Sequence, residues 1–246
     1  MPIIYLSPST QEANRYITGS GSEEENMNLL ADAMVPYLLS NGIRYQRNRP
    51  DMTAASSIRQ GNSGEYDLYL ALHSNAAGEG NEGNVRGIIA FYYPGSKEGE
   101  RAAHLFVSNL KRIYPLPEQV YARSTTALGE VRQPRFPSVL LELGYHDNAA
   151  DALWVEENRE AIAANLVQSL TQYFGLPFIY PQPVQYGVVA TEGGNLNLRS
   201  TPSAEGSIVA RLPNRSKVTV WGQWQGWYVV HCGNYVGYAV AAYISL

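Results

Sequence analysis

Three prolines fall within seven residues of this chain, at Pro177, Pro181 and Pro183, inside the stretch from Pro177 to Tyr186. Proline fixes φ and removes an amide donor, so neither a helix nor a central strand runs through such a stretch. The chain is therefore expected to fold as separate pieces on either side, and the two sides are written in different patterns. The residues before the stretch carry 14 basic and 20 acidic side chains, net −6, and those after it carry 4 and 2, net +2. The reading is a domain over 1–176, a semi-rigid Pro-rich linker over 177–185 and a smaller domain over 186–246.

The first piece alternates short apolar runs with amphipathic stretches. Ile3 to Leu6 reads as a buried strand closed by Ser7-Pro8. Glu23 to Ser40 places Met27, Leu30, Met34, Tyr37 and Leu38 at helical spacing, and its acidic start suits the positive end of the helix dipole. Further strands are predicted over 67–72, 87–93 and 138–143, with helices over 97–113 and 149–173. Strands alternating with helices predict an α/β domain with a mainly parallel sheet flanked by helices. The last sixty residues show no helical period. Runs such as Lys217 to Trp221 and Trp227 to Val230 are β-branched and aromatic, separated by Gly-rich turns, and predict a small all-β barrel.

Composition narrows the chemistry. With 45% hydrophobic and 16% charged residues over 246 positions, the chain has enough apolar content for a real core. A net charge of −4 argues against a nucleic-acid partner. No apolar run approaches the ~18–20 residues that span a bilayer, so no membrane insertion is expected. The N-terminal MPIIYLSPST shows no secretory signal. One cysteine, Cys232, excludes an intrachain disulfide and any multi-Cys metal site, and with only four histidines a metal site would have to borrow carboxylates or amides.

Three residues then stand out. His73 ends an apolar strand, where open α/β sheets bind ligands, although a hydrogen-bonded core histidine is the plainer reading. Glu142 sits inside Val139-Leu140-Leu141-Glu142-Leu143-Gly144, where an unpaired carboxylate is costly unless it is protonated, paired or facing a polar cleft. Glu23 opens the first helix, a place usually occupied by solvated acids. One His and one Glu as ligands with a second Glu as base is the minimum for zinc-assisted hydrolysis.

Asn62 to Asp67 followed by Leu70-Ala71-Leu72-His73-Ser74-Asn75-Ala76 resembles the zinc-ligand strand of the type-3 N-acetylmuramoyl-L-alanine amidases. Arg132 to Tyr145 followed by Asn148 is similar to that family's catalytic-glutamate segment, and Glu23 falls where the family places a ligand glutamate. The resemblance implies a Zn2+ enzyme that cleaves the amide between the muramic-acid lactyl group and L-alanine in peptidoglycan, with Glu142 as base and then acid. The turn after the first strand departs from the family. It reads Ser7-Pro8-Ser9-Thr10-Gln11, without the histidine that binds zinc there. Ungapped, Thr10 holds the ligand position, and with one inserted residue Gln11 does; the longer Gln11 is expected to stand in through its amide oxygen, a poorer donor than imidazole. The alternative is an inactive wall-binding or regulatory homologue that has lost its metal. Arg132 is a candidate for holding a peptide carboxylate, Asn75 and His146 for substrate contact near the cleft, and Ser74 with Asn75 for flanking and orienting His73.

Leu196-Asn197-Leu198-Arg199-Ser200-Thr201-Pro202-Ser203, with Gln225 to Val230 and Gly237-Tyr238, resembles the bacterial SH3 signature. That resemblance implies a cell-wall targeting module for peptidoglycan peptides, with Trp224 as the candidate aromatic contact. Together the resemblances imply an autolysin- or endolysin-like hydrolase acting at the wall or outside the cell, by an export route the sequence does not reveal.

Overall fold

The structure is a computed structural model describing residues 1–246. Its contacts form two compact units. One comprises Ile3–Met34 and Tyr45–Tyr173, and the other Met1–Pro2, Val35–Arg44 and Phe174–Leu246.

The larger unit is built on a six-stranded sheet. Its strands are β1 (Ile3–Pro8), β2 (Arg44–Arg47), β3 (Leu68–Asn75), β4 (Ile88–Tyr92), β5 (Val120–Ser124) and β6 (Ser138–Tyr145), in the spatial order β2-β1-β3-β6-β4-β5. β1, β3 and β6 run parallel, as do β4 and β5, while β4 is antiparallel to β6. The sheet is thus mainly parallel, as the alternating pattern predicts. The two central strands are near-continuous apolar runs, as strands covered on both faces must be. Along β6, Glu142 is the one position that is not fully buried.

The helices are α1 (Glu23–Ser40), α2 (Ala54–Asn62), α3 (Lys97–Leu110), the short α4 (Gly129–Arg132), α5 (Ala149–Glu157) and α6 (Arg159–Phe174). α2 carries a capping box between Thr53 and Ser56, and Ser96 and Asn148 cap α3 and α5. The single helix expected over 149–173 divides at Asn158. Its side-chain amide and backbone N–H both turn back onto the Trp154 carbonyl, the competition that makes Asn a poor helix-interior residue. β2, α2 and β5 lacked a clear period in the sequence, because short or half-exposed elements carry too few apolar positions to show one.

His73 and Glu142 lie directly opposite one another in the β3–β6 register, near the carboxyl ends of both strands. Immediately after this pair the register shifts. Gly144 accommodates the shift with φ +82°, and a Cβ there would stand 3.1 Å from the Asp151 side chain.

In the other unit, seven antiparallel strands take the order β13-β7-β10-β11-β12-β8-β9. They are β7 (Gln185–Val189), β8 (Leu196–Arg199), β9 (Ile208–Leu212), β10 (Lys217–Trp224), β11 (Trp227–Cys232), β12 (Tyr235–Val240) and β13 (Ile244–Ser245). Leu198, Val218, Val220 and Val230 fill the core. The Pro-rich stretch forms no helix or strand, yet it is pinned. The Asn41 side chain accepts from the Ile179 amide at 2.7 Å and donates to the Ile179 carbonyl at 2.9 Å, and Tyr238 donates to the Asn41 carbonyl.

The β10–β11 hairpin turns through Gln225 (φ +42°) and Gly226 (φ +83°), the positive-φ pair of a type I′ turn. A γ-branch-free, Cβ-bearing residue with no local hydrogen-bonding role is strained there. Relieving about 1–2 kcal/mol of left-handed strain outweighs the roughly 0.5–1 kcal/mol of unfolded-state entropy that Gly adds, so Gln225→Gly is expected to stabilise the chain by up to about 1 kcal/mol, read as a higher denaturant midpoint at unchanged slope.

Candidate active site

His73 is buried and bonded through both ring nitrogens. Nδ1 lies 2.8 Å from Oε1 of Glu23, and Nε2 lies 2.9 Å from Oε2 of Glu130. Glu23 is set by its position at the start of α1, where its own amide donates to the Asn14 carbonyl. Its Oε2 accepts from Asn14 Nδ2 at 2.7 Å, and Oε1 also accepts from the Ser74 amide. Gln11 completes the cluster. Its Nε2 lies 3.4 Å from both Glu23 Oε1 and His73 Nδ1, while its Oε1 accepts from Asn14 Nδ2 at 3.1 Å.

Charge in this cluster is strongly organised. Burial opposes the charge on His73, but hydrogen bonds and charges from Glu130 and Glu23 outweigh it and raise its pKa well above the usual value. Burial likewise works against ionised Glu23, yet His73 and Asn14 hold that carboxyl below the usual range. Glu142 has no such support. Burial pushes it up to about 7, with His73 pulling it down and Glu23 and Glu130 adding to the rise. Its Oε2 is buried with no hydrogen-bond partner.

Glu130 was not singled out in the sequence. It lies in the four-residue α4, and its only local signal is a position between Leu128 and Val131, both apolar. Its Oε1 accepts from Ser7 Oγ at 2.6 Å and Tyr69 OH at 2.8 Å. Ser7 is on β1 and Tyr69 on β3, so no local pattern links them.

Whether these residues suit a metal is a question of donors. No three His, Cys, Asp or Glu side chains come together as a metal-binding group, and the side chain that stands beside both Glu23 and His73 as a further donor is the Gln11 amide. Glu23 Oε1, His73 Nδ1 and the Gln11 amide form a triangle with sides of 2.8, 3.4 and 3.4 Å. A tetrahedral ion with bonds of ~2.0–2.1 Å separates its ligand atoms by roughly 3.3 Å, so the triangle has suitable dimensions. The orphaned Glu142 oxygen in the same neighbourhood is the second sign of an incomplete polar site. The set fits a zinc ion once the Gln11 amide turns its oxygen inward. As placed, the Asn14 bonds hold its nitrogen inward; turning it gives up one hydrogen bond, about 1 kcal/mol.

The other expected site residues make no hydrogen bond to Glu23, His73, Gln11, Glu130 or Glu142, although His146 bonds Ser74, whose amide donates to Glu23. Asn75 accepts from the neighbouring Ala76 amide and makes no bond to His73. His146 is buried, its Nδ1 bonded to the Ser74 carbonyl at 3.0 Å and its ring stacked on Tyr16. Arg132 is exposed and lines a separate pocket with Lys97, Arg135 and Ser138. Trp224 belongs to the β-rich unit, where it is half-buried beside Phe178, Tyr180 and Gln182.

Comparison with known proteins adds to this geometry. The sequence profile of the N-acetylmuramoyl-L-alanine amidases matches residues 9–172, and that of the bacterial SH3 domain matches residues 194–245. No curated protein matches the chain. Among solved structures, the chain is similar to the amidase AmiC2 of Nostoc punctiforme, with a TM-score of 0.62 and 14% identity over 71% of this chain and 97% of that one. It is similar to the catalytic domain of CwlV from Bacillus (Paenibacillus) polymyxa var. colistinus, with a TM-score of 0.61, 16% identity, and coverage of 71% and 99%. The catalytic domain of the CD27L endolysin targeting Clostridia difficile gives 0.55, 20%, and coverage of 70% and 97%. At these identities the structural likeness speaks for the fold.

Proposed function

Because the chain belongs to the N-acetylmuramoyl-L-alanine amidase family, whose profile spans residues 9–172, we propose that it hydrolyses the lactyl–L-alanine amide of peptidoglycan with zinc held by Glu23, His73 and Gln11. The single observation that carries this reading is the convergence of Glu23, His73 and Gln11 beside Glu142, a carboxylate with one buried oxygen left free. Zinc, when bound, supplies Lewis-acid polarisation and a water nucleophile at neutral pH. Glu142 accepts the proton of the attacking water as the C–O bond forms, then delivers it to the departing L-alanine nitrogen as the C–N bond breaks. A carboxyl with its pKa near 7 is matched to both halves of that transfer. The products are a lactyl carboxylate and a free α-amine.

The test is incubation of the full chain, with zinc, on purified walls, scoring new N-terminal alanine. A second reading, a wall-binding homologue without activity, is favoured by one observation: Gln11 turns its amide nitrogen, not its oxygen, toward Glu23 and His73. No alanine release alongside retained wall binding would select it. Gln11→His is expected to tighten zinc binding, measured by competition with a chelator, because imidazole is the better donor. An unchanged zinc affinity would remove Gln11 from the shell.

The SH3-like module, assigned to 186–246, is proposed to hold the enzyme on the wall. Its support is the bacterial SH3 profile and the aromatic pocket beside Trp224. Wall retention should be compared in the full chain, with Glu142→Ala present to prevent cutting. Trp224→Ala is expected to weaken retention by about fivefold or more, the scale of an interfacial aromatic anchor.

A further inference from the structure

We propose that Glu130 is a positioning residue for His73: by accepting a hydrogen bond from Nε2 it fixes the ring so that Nδ1 faces Glu23 and Gln11. The inference rests on the reading of His73 as the metal-facing histidine given above. Three features of the structure carry it.

The first is the bond itself, 2.9 Å from Nε2 to Oε2, on the edge of the ring opposite Glu23. A carboxylate is an acceptor only, so the nitrogen that meets it must carry a proton. Without a metal, Nδ1 faces the Glu23 carboxylate in the same way, so both nitrogens carry protons; when one proton leaves, the Glu130 bond keeps the other on Nε2, and Nδ1 becomes the nitrogen open to a metal. Freeing Nε2 instead would set its lone pair against a Glu130 carboxylate that Ser7 and Tyr69 hold in place.

The second is rigidity. The other Glu130 oxygen accepts from Ser7 on β1 and Tyr69 on β3, at 2.6 and 2.8 Å. The side chain is therefore held by two strands and cannot swing away from the ring. The third is what Glu130 lacks. No Lys or Arg forms an ion pair with this buried carboxylate, and its only ionic partner is His73. A carboxylate buried merely to stabilise the fold would be expected to sit against a fixed cation. Here the ring is the partner, in the arrangement by which a carboxylate orients a metal-binding histidine and raises its basicity.

The experiment uses the full chain, wild type and Glu130→Ala, with zinc as the probe. Long-range ¹⁵N–¹H spectra of the histidine rings, four in all, report which nitrogen of His73 is protonated. Zinc affinity is read by chelator competition. In the wild type, His73 is expected to show a protonated, hydrogen-bonded Nε2 both without and with zinc, while zinc removes the proton from Nδ1. In Glu130→Ala that signature is lost or mixed, the His104 and His231 signals stay in place, and zinc affinity falls about 10–100-fold. An unprotonated Nε2 in the wild type overturns the proposal, and this reading stands even if the variant does not fold. So does a Glu130→Ala protein with wild-type zinc affinity and an unchanged His73 tautomer. A wild type that binds no zinc removes the metal reading of Proposed function instead, while the ring spectra still decide the role of Glu130.

Discussion

Glu142→Ala is expected to lower alanine release from purified walls by about 10²–10⁴-fold, the scale of a positioned acid and base. Zinc content and fold should be retained, because Glu142 Oε2 has no hydrogen-bond partner to lose. Turnover close to the wild type would take Glu142 out of the mechanism. The same residue has a stability signature in the metal-free protein. Burial raises its folded pKa to about 7, above the usual 4.5 of a glutamate, so the native state keeps a proton that the unfolded chain releases. That contribution is fully present below about pH 4.5 and is lost as pH rises through about 7. Glu142→Gln is expected to flatten this part of the stability–pH curve, measured as urea midpoints from pH 4 to 8. Parallel curves for the two proteins would contradict the burial argument.

His73→Ala should produce the largest loss of stability in the metal-free chain. The ring stands between two buried carboxylates, 2.8 Å from one and 2.9 Å from the other. Removing it leaves Glu23 and Glu130 facing a void with no cation between them, and breaking a buried ion pair from one side typically costs about 3–5 kcal/mol. A urea midpoint close to that of the wild type would show that the carboxylates find protons or water without penalty. Adding Glu130→Gln to His73→Ala should recover part of the loss, since one of the two stranded charges is then absent. Additive losses would argue that the two side chains are not coupled.

Much of the larger domain was legible in sequence because its central strands are long apolar runs and its first helix has a clean period. The carboxylate at Glu142 stood out because it interrupts such a run, and His73 because it ends one. Glu23 was harder, since three consecutive glutamates at a helix start look like ordinary solvated acids. In the structure it is Glu23 that is buried against His73, while Glu25 remains exposed. Arg132 shows the opposite case. Its place in the motif suggested a ligand contact, but the turn before β6 directs it to a different pocket from the His73 cluster.

The sequence by itself determined the two kinds of architecture, the strand positions of His73 and Glu142, and the lack of a histidine in the turn after β1. These follow from local chemistry: period, proline content and residue type at a strand end. Only the tertiary structure decided that Glu130 closes the far side of His73, that Asn14 sets which end of the Gln11 amide faces inward, and that Asn41 pins the Pro-rich stretch at Ile179. Each of the three is a hydrogen bond whose meaning depends on donor direction. The bonds from Glu130 to His73 and from Asn41 to Ile179 span 57 and 138 residues. Spacing along a chain carries no information about which polar atoms meet when sheets and helices bring distant segments together, and burial then makes those atoms find partners.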